Sequence, residues 1–251
     1  MIRIVKSPEP PELRDYRENS PPEEGKPSYE KMKRRPSGHF NRLSGESINL
    51  HDYVLSKLLK DQGHLCAYCM SKLPERNKET GRELEPTIEH IEPQSTTKNT
   101  QKWKKEIEYS NFLAVCSGNA GQGPLCCDKA RGAKPLALTP LDPQCNHRIE
   151  YSLSGAIKAS QTIPSKEMQD AINDELNNVL NLNFGKDLKA KRKSALDGMM
   201  VSLQKAHQDQ NIDACKRKLQ ELKAPKDPKP EYVGILIFWL EKHITKLEHR
   251  T

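Results

Sequence analysis

The chain has 251 residues, a formal net charge of +7 and a pI near 8.9, and no apolar run reaches the ~20 residues of a membrane span. Hydrophobic residues make up 34% and aromatic residues 5%, which predicts a polar globular protein with a modest core. The positive net charge suits a polyanionic partner, although a charge of this size is also common in ordinary soluble proteins. Seven cysteines without a secretory signal predict a cytoplasmic protein that uses thiolate ligands rather than disulfides.

The first 46 residues are predicted to form an extended, partner-binding arm. Residues 1–5 alternate apolar and basic side chains, which is typical of a short strand. The rest of the segment is highly charged and has too little apolar surface to fold alone. Its prolines are Pro8, Pro10, Pro11, Pro21, Pro22, Pro27 and Pro36.

Residues 47–163 are predicted to form a second domain that begins with a helix. Leu50, Val54 and Leu58 repeat at helical spacing before the first cysteine pair. A polar insertion covers residues 74–86, a short strand is predicted over residues 87–91, and residues 112–115 are predicted to begin a helical or turn segment.

Cysteine spacing in this domain predicts a structural zinc site. A Cys-x-x-Cys turn places two sulfurs on one side of a tetrahedral zinc ion, and Cys66 and Cys69 have this spacing. Cys116 supplies a third sulfur, and the fourth comes from Cys126 or Cys127, of which Cys127 is favoured because Asp128 follows it directly. The other two cysteines, Cys145 and Cys215, are interpreted as buried apolar thiols.

Between the cysteine pairs lies a Glu-His pair with the chemistry that phosphodiester hydrolysis needs. The imidazole of His90 is largely neutral at pH 7 and can act as a base, and the carboxylate of Glu89 suits a hard cation such as Mg²⁺. Along a strand the two side chains alternate in direction, so that one is predicted to hold metal while the other faces water.

The remaining residues, 164–251, are predicted to form a helical region. Three amphipathic patterns and a final apolar helix over residues 235–247 follow one another, with prolines before the last. The patterns consist of Met168, Ile172, Leu176 and Val179; Leu196, Met199, Met200 and Leu203; and Ile212, Cys215, Leu219 and Leu222.

Residues 60–135 resemble the HNH, or ββα-metal, nuclease family. The motifs are Cys66-Ala-Tyr-Cys69, Ile88-Glu-His-Ile-Glu-Pro93, Asn111-Phe-Leu-Ala-Val-Cys116 and Cys127-Asp-Lys-Ala-Arg-Gly132. The resemblance implies an α+β, mainly helical fold with a ββα-metal core, zinc knuckles, a Pro-rich arm and a helical bundle. It also implies that Glu89 and Asp128 bind a catalytic Mg²⁺ or Mn²⁺, that His90 is the general base, and that Asn111 orients the histidine.

The whole chain is similar to a narrower group, the PtuB-like HNH effector subunits of Septu-type and retron-associated antiphage systems. Further motifs are Ile149-Glu-Tyr-Ser-Leu-Ser-Gly-Ala-Ile157 and Leu180-Asn-Leu-Asn183. This resemblance implies an ABC/SMC-like, PtuA-like ATPase partner, a possible retron reverse transcriptase with its RNA and DNA, and a DNA or structured RNA substrate such as tRNA. The sequence contains no phosphate-binding loop, so nucleotide dependence would come from another chain.

Basic residues in two segments are predicted to contact nucleic-acid phosphates. The predicted contacts are Lys102, Lys104, Lys105, Lys129, Arg131 and Lys134 near the site, and Lys186, Lys189, Lys191, Arg192 and Lys193 in a helix.

Two alternative functions remain open, namely a stand-alone restriction-type HNH DNase and a non-catalytic zinc module that binds nucleic acid or protein.

Overall fold

The computed structural model describes residues 1–20, 25–34, 39–41, 46–74, 86–97, 103–120, 123–185 and 187–249. Within these ranges the fold is α+β, about half helical, with small antiparallel sheets. Most of the predicted insertion over residues 74–86 lies outside the described residues, as do Lys102 and Lys186.

Helices dominate the described part of the chain. The helices are α1 (Pro11–Asn19), α2 (Tyr29–Arg34), α3 (Leu50–Asp61), α4 (Gln94–Thr97), α5 (Cys127–Arg131), α6 (Cys145–Arg148), α7 (Lys166–Asp174), α8 (Leu188–Lys205), α9 (Ile212–Lys223) and α10 (Val233–Glu248). The strands are β1 (His39–Asn41), β2 (Glu46–Ile48), β3 (Thr87–His90), β4 (Phe112–Val115), β5 (Ile149–Tyr151) and β6 (Ile157–Ala159).

The six strands form three two-stranded antiparallel sheets, β1 with β2, β3 with β4, and β5 with β6. The predicted strand over residues 87–91 is confirmed as β3. The helical or turn prediction for residues 112–115 is wrong, because these residues form β4 and pair with β3 from His90↔Phe112 to Thr87↔Val115. A run of four consecutive apolar residues shows neither helical nor strand periodicity, so the sequence could not distinguish the two. All four residues are buried in the core.

The predicted helices over residues 47–64 and 164–251 are confirmed as α3 and as α7 to α10. Most side chains at the predicted positions are turned to the core, and Leu58, Ile172 and Leu196 are at most 1% exposed, whereas Met168 at the start of α7 is 38% exposed. Side chains of Asn49, Ser165 and Asn211 cap α3, α7 and α9 by accepting from backbone N–H groups, which satisfies donors that a helix start leaves free.

The N-terminal segment differs from its prediction. Residues 11–19 and 29–34 are helical rather than extended, and Leu13, Tyr16, Tyr29 and Met32 are buried. Residues 1–5 form no strand in this structure, although the Ile4 backbone N–H donates to the Pro140 carbonyl at 2.7 Å. These few apolar side chains cannot make a core of their own, but they complete the core of the following residues.

One hydrophobic cluster contains buried side chains from all three predicted domains, from Met1 and Leu13 through Leu113 to Leu240. A buried arginine, Arg192, anchors α8 by donating to the Gly155 carbonyl at 2.6 Å and the Leu182 carbonyl at 2.8 Å. Its predicted role in phosphate contact is therefore wrong, since it is only 1% exposed.

A buried carboxylate predicts how stability changes with pH. Glu175, 2% exposed, accepts from the Leu138 N–H at 3.0 Å and from the Ala137 N–H, while burial raises its pKa from 4.5 to about 7. The folded state therefore holds this proton more tightly than the unfolded state. Stability from this group is complete below pH ~4.5 and falls by roughly 3 kcal/mol as the pH rises through ~7.

We expect Glu175→Gln to flatten this loss, because glutamine stays neutral throughout. The measurement is urea unfolding at about pH 4.5, 6 and 7.5, with the exposed Glu241→Gln in α10 as the matched control. Identical pH slopes for wild type and Glu175→Gln would show that burial does not raise the pKa of this carboxyl.

Candidate active site and metal centre

Four cysteine sulfurs from three separate parts of the chain converge at one place. Cys66 and Cys69 follow α3, Cys116 follows β4 and Cys127 begins α5. Their Sγ atoms all lie within 4.8 Å of one another, with Cys66–Cys127 at 3.9 Å and Cys69–Cys116 at 3.8 Å. A regular tetrahedron with Zn–S near ~2.3 Å has edges of about 3.8 Å, so the spacing fits a Cys₄ zinc site.

The environment of these sulfurs also favours a cation. Burial raises the pKa of the Cys66 thiol, so four thiolates cannot share this space without a compensating positive charge. The cluster can therefore hold a metal such as zinc. The other three cysteines are also buried; Cys145 and Cys215 lie elsewhere, whereas the thiol of Cys126 contacts those of Cys116 and Cys127 without belonging to the four that converge.

Backbone geometry brings the distant cysteines together. The Cys116 N–H donates to the Cys66 sulfur at 3.4 Å, and the Cys127 N–H donates to the Leu180 carbonyl at 2.9 Å. Gly118 has φ +60°, and a Cβ there would lie 2.2 Å from the Cys126 carbonyl oxygen. Only glycine fits this position, which lets the loop after Cys116 close against Cys126.

Three of the predicted catalytic residues border one cavity of about 480 Å³ on the neighbouring surface. Glu89 and His90 end β3, and Asp128 lies in the first turn of α5. Both side chains line this cavity, so the prediction that one holds metal while the other faces water stays a prediction. These three side chains supply two carboxylates and an imidazole, which is the side-chain chemistry of metal-assisted hydrolysis, and Glu30 and His51 line the same cavity.

The imidazole of His90 is held in one tautomer. Its Nε2 lies 3.0 Å from the Glu106 carbonyl oxygen, which can only accept, and 3.4 Å from the Gln94 side-chain nitrogen; the shorter contact favours the tautomer with the proton on Nε2 and the lone pair on Nδ1. Burial lowers the pKa of His90 to about 4, although the Glu106 carbonyl opposes the shift. The ring is thus a neutral base near pH 7.

Glu89 sits between a positive and a negative neighbour. Arg131 donates to its Oε1 and the Tyr68 hydroxyl lies 3.3 Å from the same atom. Burial and the adjacent Asp128 carboxylate nevertheless raise the pKa of Glu89 to about 7. Two carboxylates that repel each other in a buried site are stabilised by a shared cation.

Asn111 acts on the backbone around the histidine. Its Nδ2 donates to the Lys105 carbonyl at 2.9 Å and the Glu92 carbonyl at 3.2 Å, and its Oδ1 accepts from the Glu92 N–H at 2.7 Å. These contacts fix the residue before Glu106, whose carbonyl holds His90. Among the described contacts, Asn111 bonds backbone groups next to the histidine's carbonyl partner and not the ring itself, and its orienting role stays a prediction.

Arg131 corrects a prediction and adds a residue to the site. Its side chain is fully buried, and besides Glu89 it donates to the His90 carbonyl at 2.9 Å, the Ile91 carbonyl at 2.6 Å and the Lys134 carbonyl at 2.8 Å. It therefore holds the end of β3 and does not contact phosphate. The sequence signal that could have identified Arg131 as a site residue is its position three residues after Asp128, about one helical turn away.

Tyr68 was also missed, although it lies inside the Cys66–Cys69 turn. Its hydroxyl accepts from Arg131 at 3.2 Å and donates to Glu89, which links the cysteine cluster to the cavity. Among the predicted phosphate contacts, Lys104 is paired with Glu18 at 2.5 Å and Lys105 is paired with Glu92. Lys129 borders the cavity and is exposed.

Within the described ranges, helices are too short or too polar to cross a bilayer. No protein-family model matches the chain, and a search of curated proteins found no match.

Proposed function

We propose that this chain is a metal-dependent HNH endonuclease that hydrolyses phosphodiester bonds of nucleic acids. The observation that supports this most is the shared cavity of Glu89, His90 and Asp128, in which a neutral, anchored imidazole lies beside two facing carboxylates. The resemblance of the surrounding motifs to the ββα-metal core assigns the same residues to base and metal ligands.

The residues have separate tasks in this proposal. Nδ1 of His90 accepts a proton from water, since Nε2 is already committed to the Glu106 carbonyl. Carboxylate oxygens of Glu89 and Asp128 would hold Mg²⁺ or Mn²⁺, which when bound neutralises charge that develops on the phosphate. Asn111 fixes the backbone of Lys105 and Glu92, and Arg131 fixes the backbone of His90 and Ile91.

The cysteine cluster serves as the scaffold in this proposal. Cys116 directly follows β4, and Cys127 directly precedes Asp128, so both cavity walls are attached to the cluster. Zinc held there by Cys66, Cys69, Cys116 and Cys127 would keep β3–β4 and α5 at a fixed distance. Tyr68 extends the same connection to Glu89.

The resemblance to PtuB-like proteins extends the proposal to a toxic antiphage effector controlled by an ATPase partner. Its support comes from the sequence, which matches the outer motifs and has no nucleotide-binding loop of its own. Co-expression with an ATPase encoded beside it, followed by co-purification, would distinguish this from a stand-alone nuclease.

We expect cleavage of plasmid DNA, single-stranded DNA or tRNA to require Mg²⁺ or Mn²⁺, and Asp128→Ala to lower its rate about 100-fold or more. Loss of one oxygen ligand weakens charge neutralisation at the phosphate by several kcal/mol. The measurement is initial cleavage rate against Mg²⁺ concentration for the zinc-loaded protein.

The matched control is Asp170→Ala, which removes an exposed carboxylate from α7. It should cleave like the wild type. Wild-type rates for Asp128→Ala would contradict the assigned ligand. Failure of the wild type to cleave any of the three substrates, alone or with the partner, would favour a zinc-binding interaction module.

A further inference from the structure

The N-terminal segment reaches the candidate active site. Tyr29, in the first turn of α2, borders the same cavity as Glu89 and His90 and is only 7% exposed. Its ring meets the His90 imidazole at a centroid distance of 4.6 Å and an interplanar angle of 88°. This edge-to-face arrangement is a favourable one for aromatic rings.

Three aromatic rings pack against one another beside His90, which is itself one of them. Phe112 lies 5.0 Å from His90 and 5.9 Å from Tyr29, so the imidazole, the phenol and the phenyl ring form a triangle. Phe112 belongs to β4, which pairs directly with His90 across the sheet. Tyr29 is therefore the member of the triangle that comes from outside the β3–β4 pair.

A second contact joins Tyr29 to the histidine through the backbone. The Tyr29 N–H donates to the Glu106 carboxylate at 3.2 Å, and the Glu106 carbonyl accepts from His90. At the other end of the side chain, the Tyr29 hydroxyl lies 3.3 Å from Nε2 of His51 in α3. Ring, backbone and hydroxyl all hold Tyr29 at this place.

The segment before Tyr29 is fixed to the same region. The Tyr16 hydroxyl donates to the Ser28 carbonyl at 2.9 Å and accepts from the Ser28 N–H at 3.2 Å, immediately before α2. Arg17 pairs with Glu9, which accepts from the Tyr109 N–H at 3.2 Å. The N-terminal segment thus contacts the stretch around Glu106 at two places, through Tyr29 at Glu106 itself and through Glu9 at Tyr109.

We propose that the N-terminal segment is part of the active site and that Tyr29 is a positioning residue for His90. This rests on the proposed nuclease function. Tyr29 does not exchange a proton with the substrate in this proposal. It limits rotation of the imidazole, so that Nδ1 stays directed at the water that it deprotonates, and small errors in such alignment are costly.

The test compares Tyr29→Leu with Tyr29→Phe in the full-length, zinc-loaded chain. Leucine removes the aromatic edge, and we expect kcat to fall about 10- to 100-fold with KM changed less than about threefold. Phenylalanine keeps the ring and should restore most of the rate. Phe184→Leu is the control, since it makes the same aromatic-to-leucine change at an exposed ring outside both the N-terminal segment and the cavity lining, and it should leave kcat unchanged.

Nuclear magnetic resonance gives a readout that does not depend on cleavage. Nuclear Overhauser effects between the ring protons of Tyr29 and His90 are expected in the wild type, and their absence would overturn the proposal even where Tyr29→Leu fails to fold. Wild-type kcat in Tyr29→Leu would overturn it as well. A wild type that cleaves no nucleic acid would contradict the proposed function and this inference together, whereas an active wild type with an indifferent Tyr29 contradicts the inference alone.

Discussion

His90→Ala is expected to reduce cleavage about 10²- to 10⁴-fold while zinc content and melting temperature stay close to wild type. A positioned general base contributes a factor of this size, and no other described imidazole borders both Glu89 and Asp128 with a lone pair fixed by a backbone carbonyl. His51 lines the same cavity, but its Nε2 is engaged with the Tyr29 hydroxyl. The measurement is single-turnover cleavage at saturating Mg²⁺, which separates chemistry from product release.

The control for this variant is His147→Ala, which removes an exposed imidazole outside the cavity and should cleave at the wild-type rate. Added imidazole should partly restore His90→Ala, because a small base can enter the space that the side chain leaves. Undiminished cleavage by His90→Ala would remove this residue from the role of base and point to a different group.

The residues of the candidate site that could be predicted are those whose chemistry is carried by short motifs. Spacing alone indicated Cys66 and Cys69 as partners, and the structure places the favoured Cys127, rather than Cys126, with the other three sulfurs. Motif resemblance placed Glu89, His90 and Asp128 together, and the shared cavity is consistent with this. Each short motif carries its chemistry in its own residue types and spacing, whereas the convergence of motifs that lie far apart in the sequence follows from the fold.

The N-terminal segment could not be predicted in this way. Its apolar side chains are few and separated by prolines, so no local pattern shows that Tyr16 and Tyr29 are buried against distant residues. Helices as short as α2 gain their stability from tertiary packing rather than from propensity. The contact between Tyr29 and His90 spans 61 positions of sequence and carries no signature in either segment.

Charge misled the interpretation of Arg131 and Arg192 for a related reason. A basic side chain in a cationic protein indicates a solvated surface, but both guanidinium groups are buried against backbone carbonyl oxygens. The planar guanidinium can satisfy several such acceptors at once, which a lysine cannot do with the same geometry. The net charge of the chain therefore overstates the number of exposed basic side chains that could contact phosphate.

Replacing one thiol of the cysteine cluster is the other change for which we expect a large effect. It should lower the stability of the fold, and any loss of cleavage should follow from that. In Cys127→Ser we expect zinc content to fall well below one ion per chain and the melting temperature to drop by about 10 °C or more. Structural zinc supplies binding energy that only the folded state gains, and Cys127 connects the cluster to α5 and hence to Asp128. Zinc content by mass spectrometry and calorimetry on the same sample measure both effects.

The neighbouring Cys126→Ser is the sharpest control that the chain offers, because it makes the same chemical change one residue away. Cys126 is also buried, so loss of apolar packing is matched, yet its sulfur lies outside the four that converge. We expect it to keep a full zinc complement and most of its stability. Equal zinc loss in both variants would show that the fourth ligand is shared between the two positions, and unchanged zinc content with an unchanged melting profile in Cys127→Ser would contradict the scaffold role of the cluster.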